Sequence, residues 1–555
     1  MNAGDSTKQI VFFGCPGVDR TAVTAESVGS KAANLIRLAE EGVRVPPGFV
    51  LPVSFCRDYF DCGRRLVENF AELLTEQVER LGKATGLVYG GERRPLLLSV
   101  RSGAAVSMPG MLDTVLDVGL TDRTVSALVC LTGNPRHAWD SYRRLVQSYG
   151  EAVHGLAAEP FERRVDARLA SDRVASPAEL DAAALREIAE ESLAWFSSQV
   201  GHAFPQNPRE QLVAAVEAVF RSWQSARAVE FRRLRRLEHL PGTAVTIQTM
   251  VYGNLGGNSG SGVAFTRDPA TGETGLYFDF LPGSQGEDIV GGRRGTRGSA
   301  ALERILPEVY RELVRTAGRL EHLFGDVQDF EFTIQEGRLY VLQTRTAKRT
   351  PLAALRIACN LVAEGRIDET TALDRLSGYD LDELKSVRLA PPDGLRPLCR
   401  GTPAGSGVAI GPIALTPEAA ATFAAKGQAP VLVRGDITTA DIAGLASSAG
   451  IVTARGGRTS HAAVVARQLN KACVVGCREL IVPDGLQHCE IGDRSFAEGD
   501  WISADGQSGE VYAGRLDVRV EQPTAYLEQV KRWKAHFQSS LSSCGSVALS
   551  DSISP

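Results

Sequence analysis

The interpretation of this chain starts from one stretch, Gly456-Gly457-Arg458-Thr459-Ser460-His461-Ala462-Ala463-Val464-Val465-Ala466-Arg467. The residues before it, Gly450-Ile451-Val452-Thr453, are typical of a short buried strand. After His461, alanine and valine recur with helical spacing. We therefore predict that His461 lies at a strand-to-helix corner.

The start of a helix beside a histidine is suited to phosphate chemistry. Its first turn offers free N–H groups and the positive end of the helix dipole, and we expect Thr459 or Ser460 to cap it. A neutral imidazole can attack phosphorus, and Arg455 or Arg458 would then bind the phosphoryl oxygens of a phosphohistidine. A single histidine more often only satisfies a hydrogen bond under a loop. The residues around His461 must therefore distinguish this structural role from a nucleophilic one.

The surrounding residues carry a family resemblance. Ala454-Arg455-Gly456-Gly457, followed after Arg458 by Thr-Ser-His-Ala-Ala-Val-Val-Ala-Arg, resembles the phosphohistidine signature of the pyruvate phosphate dikinase family. The resemblance implies that His461 is the nucleophile, and we count Thr459 with it among the catalytic residues.

Length, charge and cysteine content restrict the class of protein. The 555 residues predict three or four compact units. A net charge of −5 gives no basic footprint, so we expect no nucleic-acid partner. Ten cysteines lack zinc spacing and indicate free thiols in a reducing compartment. With no signal-peptide pattern and no membrane-spanning apolar run, we expect a cytoplasmic protein without a membrane partner.

Two basic residues are candidates for binding phosphate. Lys31 follows Gly29 and Ser30 at the start of a predicted helix, and Arg101 follows the apolar run 96–100 in a glycine-bearing segment. Both segments resemble the nucleotide-binding domain of the family, in which the lysine contacts ATP phosphates. The family more often has Gly-Gly-Lys-Gly where this chain has Gly29-Ser30-Lys31-Ala32. The Ser-Met-Pro-Gly-Met sequence after Arg101 resembles the branch that uses phosphate as co-substrate.

Further candidates rest mainly on the same resemblance. Arg143 is a candidate phosphate ligand within the helical region 121–240, although a surface ion pair explains it nearly as well. Gln248 and Met250 match the adenine-side strand of the family, and Glu287 lies in its ribose-side loop. Between them, residues 254–262 form a glycine-rich segment that we interpret as a hairpin able to fold over a triphosphate.

Two alternating segments predict a metal–nucleotide platform. Asp329 and Glu331 share one strand face, and Gln343 and Arg345 share a face of the next strand. A three-residue loop with Gly337 left-handed would set Asp329 opposite Gln343, whereas a two- or four-residue loop would separate them. We assign Glu331 and Gln343 as Mg²⁺ ligands, because Mg²⁺ takes few protein oxygens and keeps phosphate and water. The pattern resembles an ATP-grasp fold.

We therefore predict a multidomain α/β and α+β protein. Residues 1–345 would form an ATP-grasp nucleotide-binding domain with a helical insertion at about 121–240. A helical linker at 346–395 would lead to a swivelling β/α phosphohistidine domain at 396–515, followed by a linker-like helix and disordered tail at 516–555. The family's C-terminal barrel, which carries the pyruvate site, is expected to be missing.

The resemblance implies a dikinase-type transferase. ATP and phosphate would phosphorylate His461 and release AMP and pyrophosphate, with Mg²⁺ as cofactor. Lys31 and Asp329 would contact the nucleotide, and Arg101, Arg143 and Arg345 would stabilise transferring charge. The acceptor would be a separate protein or a small molecule. A small-molecule kinase similar to rifampin phosphotransferase, and a non-catalytic phosphocarrier, are the alternatives. The acceptor, the choice between phosphate and water, and the oligomeric state, including a homodimer, stay open.

Overall fold

A computed structural model describes residues 9–15, 23–106, 108, 111–174, 176–290, 299–381, 384–437, 441–458, 460–483 and 488–547. The chain divides into two compact units. The first comprises Met1–Ser261, Pro282–Gln285 and Glu331–Arg345; the second comprises Gly262–Leu281, Gly286–Phe330 and Thr346–Pro555.

The first unit begins with an antiparallel sheet and its flanking helices. The elements are β1 (Val11–Phe13), α1 (Ala25–Val28), α2 (Ser30–Glu40), β2 (Gly48–Leu51), α3 (Val53–Asp61), α4 (Phe70–Thr85), β3 (Val88–Tyr89), β4 (Pro95–Leu96), β5 (Leu98–Gly103) and β6 (Thr114–Val118), with β7 (Ala244–Thr249) later in the chain. Five of these strands form one sheet in the order β1-β2-β7-β5-β6. The sheet is the base from which the Lys31 and Arg101 segments project.

Helices fill the region between β6 and β7, as the charge-rich pattern over 121–240 predicts. They are α5 (Asp122–Thr132), α6 (Pro135–His154), α7 (Glu159–Asp172), α8 (Ala182–Val200), α9 (Pro208–Ser222) and α10 (Ala226–Leu234). Apolar residues of α6 and α9 share one large core with the sheet strands. Burying this apolar surface holds the helical region on the sheet.

The middle of the chain contains a second sheet. Its elements are β8 (Gly260–Arg267), β9 (Thr274–Pro282), α11 (Gly286–Val290), α12 (Ser299–Ile305), α13 (Pro307–Phe324), β10 (Gln328–Gln335) and β11 (Arg338–Thr346). The strand order is β11-β10-β8-β9. Since β7 and β8 belong to different sheets, the prediction that residues 254–262 form a hairpin is wrong. The reason is that strand pairing depends on tertiary contacts that a glycine-rich segment does not specify.

Within the second unit, the segment after β11 packs against the last helix. Helices α14 (Pro351–Ala363) and α15 (Glu369–Leu376) share an apolar cluster with α19 (Thr524–Val547), whose Val530 and Trp533 are buried there. Strand β12 (Ser386–Leu389) pairs antiparallel with β24 (Val518–Glu521). The predicted linker is therefore helical at first but ends in a strand. The predicted domain ranges stay a prediction.

The histidine region contains an eight-stranded sheet. Its remaining elements are β13 (Cys399–Arg400), β14 (Thr402–Pro403), β15 (Val408–Ala414), α16 (Pro417–Ala425), β16 (Val431–Arg434), α17 (Ile442–Ser447), β17 (Gly450–Thr453), α18 (His461–Gln468), β18 (Ala472–Val475), β19 (Leu480–Ile481), β20 (His488–Ile491), β21 (Arg494–Ala497), β22 (Trp501–Asp505) and β23 (Glu510–Ala513). The order is β13-β23-β22-β15-β16-β17-β18-β14, and β19, β20 and β21 form a small separate sheet.

The predicted strand-to-helix corner is confirmed. Strands β16, β17 and β18 are parallel, and α18 connects β17 to β18. Ala462, Ala463 and Ala466 of α18 are buried against this part of the sheet. Small residues on this face bring the helix close to the strands, and α18 begins at His461 after the loop that follows β17.

Of the helices that the structure describes, none is long and apolar enough to cross a membrane.

Candidate functional site

The start of α2 is held against the end of β5 by two glycines. Gly29 has φ +80°, and a Cβ at this position would lie 2.3 Å from the carbonyl oxygen of Gly103. Only glycine allows both this backbone conformation and this approach. The backbone N–H and Oγ of Ser30 donate to the Ala104 carbonyl oxygen, at 3.0 and 3.2 Å. This contact fixes Lys31, at the start of the helix, relative to Arg101 on β5.

Several charges act on Lys31. Its pKa is below the ordinary value, chiefly because surrounding protein atoms desolvate the ammonium group although part of the side chain is exposed. The positive charges of Arg101 and Arg345 lower the pKa further, and the carboxylate of Glu331 opposes them. Three cations with one carboxylate form a cluster of net positive charge, which favours the binding of a polyanion. The structure thus brings four sequence-predicted residues together.

Arg101 adds a directional donor to this cluster. Its Nε is buried and has no hydrogen-bond partner within the described part of the chain. A buried N–H without an acceptor costs free energy, about 1–3 kcal/mol, unless a ligand supplies one. A phosphate oxygen is a suitable acceptor, because guanidinium groups bind phosphate in a fixed, forked geometry.

The two predicted metal ligands are in contact. Gln343 Nε2 donates to Glu331 Oε1. This leaves the second carboxylate oxygen and the amide oxygen as hard ligand atoms, a set that fits Mg²⁺ bound mainly by phosphate and water. No group of three or more His, Cys, Asp or Glu positioned to hold a metal ion occurs among the described residues.

The loop between β10 and β11 is one of the lengths that the sequence left open. It has two residues, Glu336 and Gly337, with φ of 49° and 75°. Positive φ at both positions is the geometry of a tight hairpin turn. Such a turn is predicted less readily from Glu-Gly than from Asn-Gly. The two-residue loop is thus the alternative that the structure shows, and Gln343 contacts Glu331. Asp329 is buried on β10, and its nucleotide role stays a prediction.

Gln248 and Met250 lie where β7 meets its neighbours. Gln248 is buried, and its Nε2 donates to the Pro46 carbonyl oxygen at 2.9 Å. Met250 is half-buried, and its N–H donates to the Leu97 carbonyl oxygen at 2.9 Å. The Gln248 side chain thus joins β7 to the segment before β2, and adenine binding by these residues stays a prediction.

Arg143 lies in a buried ion network. Its Nη2 donates to Asp140 at 2.6 Å, and Arg144 Nε donates to the same carboxylate at 3.0 Å. Burial opposes ionisation of Asp140, but the guanidinium groups of Arg144 and Arg143 hold its pKa well below the usual range. The surface ion pair considered as the alternative is therefore a buried one.

This network also anchors the glycine-rich segment, which sequence reasoning missed. Asn254 Nδ2 donates to Asp140 at 3.2 Å, and its Oδ1 accepts from His137 Nδ1 at 3.0 Å. Asn134 Nδ2 donates to the Leu255 carbonyl oxygen at 2.7 Å. The sequence signal that could have indicated the network is the spacing of Asp140, Arg143 and Arg144, which places them on one helix face.

Residues on both sides of the segment's tip are also held, but the tip itself is open. Gly253 N–H donates to Gln285 Oε1 at 3.2 Å, and Gly337 N–H donates to the Asn258 carbonyl oxygen at 2.9 Å. Gly256 and Gly257 are exposed, and a Cβ on either would meet no atom within 4 Å. Anchored ends with an open glycine tip are suited to closing over a phosphate chain.

His137 gives the network a pH dependence. Burial lowers its pKa from 6.5 to about 4 in the folded protein, although Asp140 and Asn254 oppose the shift. Folding therefore favours the neutral imidazole. The stability that the neutral His137 contributes is present above pH 6.5 and is lost as the pH falls towards 4. Between pH 7 and pH 4, we expect wild type to lose about 3 kcal/mol more unfolding free energy than His137→Gln. Urea unfolding of both proteins across this range is the measurement, and parallel losses would contradict it.

The loop before α18 is held by backbone contacts. Arg455 N–H donates to the Gly435 carbonyl oxygen at 3.0 Å, and Ser460 N–H donates to that of Gly457 at 3.1 Å. Ser460 is the N-cap residue but makes no capping hydrogen bond through its side chain; its buried Oγ has no partner in the described structure. Of the two expected capping residues, Ser460 therefore does not cap the helix with its side chain, although its φ and ψ of −59° and 159° are those of an N-cap residue.

Three predicted site residues lie partly or wholly outside the described structure. Thr459 is outside it, and for His461 and Glu287 only the backbone is described, in α18 and α11. His461 is the first residue of α18, as predicted. The catalytic roles of His461 and Thr459 and the nucleotide role of Glu287 stay predictions.

Comparison with known proteins agrees with the resemblance found in the sequence. Residues 65–300 match the family model "Pyruvate phosphate dikinase, AMP/ATP-binding domain", and residues 427–509 match "PEP-utilising enzyme, mobile domain". Pyruvate, phosphate dikinase of Clostridium symbiosum is 41% identical over 92% of this chain and 59% of the relative. The chloroplastic enzyme of Flaveria pringlei is 41% identical over 95% and 56%, and pyruvate, phosphate dikinase 2 of Zea mays is 39% identical over 92% and 58%. The chain is thus similar to these dikinases over most of its length, and it spans less than two thirds of theirs.

Proposed function

We propose that this chain performs the nucleotide half-reaction of a dikinase. His461 attacks the β-phosphorus of ATP, which breaks the bond to the α-phosphate and gives pyrophosphoryl-histidine and AMP. Inorganic phosphate then accepts the terminal phosphoryl group, which leaves phosphohistidine and pyrophosphate. The observation that carries the proposal is the cluster of Lys31, Arg101, Arg345 and Glu331 at the start of α2.

The cluster has a different task for each side chain. Lys31, at a helix N-terminus, supplies a mobile positive charge to the phosphate chain. Arg101 and Arg345 stabilise charge on the oxygens of the transferring group, and Arg101 Nε has a hydrogen bond to offer. Because little covalent chemistry is required of the protein, positioning and charge stabilisation account for most of the catalysis.

Glu331 and Gln343 would hold a magnesium ion. When bound, Mg²⁺ neutralises charge on the phosphate oxygens. The two side chains are already in contact, and Glu331 is the carboxylate that acts on Lys31. The open tip at Gly256 and Gly257 would close over the bound nucleotide, with Asn254 on one side of it held by the Asp140 network and Asn258 on the other side held by Gly337.

His461 begins a helix in a region that matches a mobile domain, so we propose an ATP-grasp domain and a swivelling histidine domain. The histidine would move between the nucleotide and an acceptor. We propose a separate protein or a small molecule as acceptor, with a kinase of the rifampin-phosphotransferase type and a phosphocarrier as alternatives. A cytoplasmic location, and the absence of nucleic-acid and membrane partners, stay predictions.

The test follows the fate of each phosphate. Purified protein is mixed with Mg²⁺ and ATP labelled at either the β or the γ position, with and without inorganic phosphate. We expect acid-labile protein label from both positions without phosphate, label from the β position alone with phosphate, and AMP in both cases. His461→Ala should abolish the label, whereas His488→Asn, a control histidine on β20, should retain it.

Each other outcome has a definite meaning. Label from the γ position alone, with ADP as product, would indicate an ordinary kinase and contradict the proposal. Protein label from both positions that persists when phosphate is added would exclude phosphate as the co-substrate. The absence of both label and AMP would favour the phosphocarrier.

A further inference from the structure

Arg458, three residues before His461, packs on an aromatic ring within the second unit. Its guanidinium carbon lies 4.1 Å from the centroid of the Tyr277 ring, which is a close cation–π contact. Tyr277 is on β9 and belongs to an apolar cluster with Phe265 and residues of α14. The Tyr277 ring is thus fixed by packing within this cluster, and the Arg458 side chain packs on it.

Tyr277 makes a second contact with the histidine region. Its hydroxyl donates to the carbonyl oxygen of Pro403, on β14, at 2.8 Å. Burial raises the pKa of Tyr277 above its ordinary value, so the hydroxyl keeps its proton and acts as a donor. A single side chain therefore contacts both Pro403 and Arg458.

A neighbouring arginine strengthens the same contact. The Arg467 guanidinium lies 5.4 Å from the Phe265 ring centroid, and Nη1 donates to the carbonyl oxygens of Ala404 and Arg458 at 3.2 and 2.9 Å. Because Arg467 holds the backbone of Arg458, the loop is braced where the Arg458 side chain leaves it. The two arginines and two rings form one docking contact.

We propose that Tyr277 is a positioning residue that docks the histidine loop through Arg458, and that a phosphoryl group on His461 draws Arg458 away from the ring. The second part rests on the proposed function; the first does not. The physical reason is competition for one guanidinium group. A charge-assisted hydrogen bond to a phosphoryl dianion is stronger than a cation–π contact at a partly exposed site. Phosphorylation would therefore loosen the docked loop.

The docking part is tested without substrate by amide hydrogen–deuterium exchange of the full chain. Tyr277→Leu and Arg458→Met should each increase exchange about tenfold in peptides spanning 455–467. Tyr277→Phe keeps the ring but loses the hydroxyl, so it should increase exchange near Pro403 while leaving 455–467 nearly protected. The matched control is Tyr340→Leu, since Tyr340 also lies under an arginine, Arg44, but in the first unit.

Unchanged exchange at 455–467 in both Tyr277→Leu and Arg458→Met would overturn the docking. If circular dichroism shows that Tyr277→Leu does not fold, the exchange of Arg458→Met tests the docking alone. Arg458 is half-buried on a loop, so its replacement should leave the fold intact.

The phosphorylation part uses protein labelled on His461 by ATP. Exchange at 455–467 should rise about tenfold on labelling in wild type and change little in Arg458→Met, which is already released. Equal exchange in labelled and unlabelled wild type would overturn this part. If wild type takes up no label, the proposed function fails, while the substrate-free comparison still decides the docking.

Discussion

An Arg101→Lys variant is expected to form phosphohistidine about 1000-fold more slowly than the wild type. Lysine keeps the positive charge but lacks the forked N–H donors that bind two phosphoryl oxygens at once. It also removes the buried Nε, which has no partner in the described structure and so has a hydrogen bond to give to a ligand. The measurement is the single-turnover rate of label transfer from the β position of ATP.

A matched arginine separates this effect from a general loss of charge. Arg123 pairs with Glu92 at 3.3 Å, and its side chain is 84% exposed, so Arg123→Lys should label at the wild-type rate. A rate for Arg101→Lys within tenfold of wild type, with ATP binding intact, would mean that charge alone accounts for the role of Arg101.

A Glu331→Gln variant is expected to need about 100-fold more Mg²⁺ for half-maximal labelling. The change removes the only negative charge among the groups found to act on Lys31, and it replaces the carboxylate that accepts from Gln343. Titration of magnesium-dependent ATP binding by calorimetry gives a second readout that does not depend on turnover.

The control for this variant lies on the same hairpin. Glu336 is exposed in the turn between β10 and β11, and within the described residues its hydrogen bond is made by the backbone N–H, to Ser259 Oγ at 3.0 Å. Glu336→Gln should therefore leave the magnesium requirement unchanged. An unchanged requirement in Glu331→Gln would remove Glu331 from the metal site and leave it as a counter-charge for Lys31.

The elements that carry the site could be predicted because their signals are local. The strand-to-helix corner at His461 followed from hydrophobic periodicity over about 15 residues, and Lys31 at the start of α2 followed from a glycine stop and a helical repeat. The family resemblance then supplied candidate roles for Arg101, Glu331 and Gln343. No local pattern showed that a tight two-residue turn connects β10 to β11.

Partners distant in the chain could not be predicted in this way. Asn254 of the glycine-rich segment meets Asp140, 114 residues earlier, and the Tyr277 hydroxyl meets Pro403, 126 residues later. A single sequence gives no signal for such pairs, because any of many polar side chains could satisfy the same buried group. The choice depends on how whole elements pack.

The sequence by itself therefore determined the helix that begins at His461, the helix that has Lys31 in its first turn and the strand that carries Arg101. These depend on interactions between residues a few positions apart, which repeat with the period of the element. The tertiary structure decided which charges act on Lys31, what anchors the glycine-rich segment and which ring receives Arg458. Those contacts form only when β5, α6, β9 and the loop before α18 are packed in place, since burial and close approach select one partner among many.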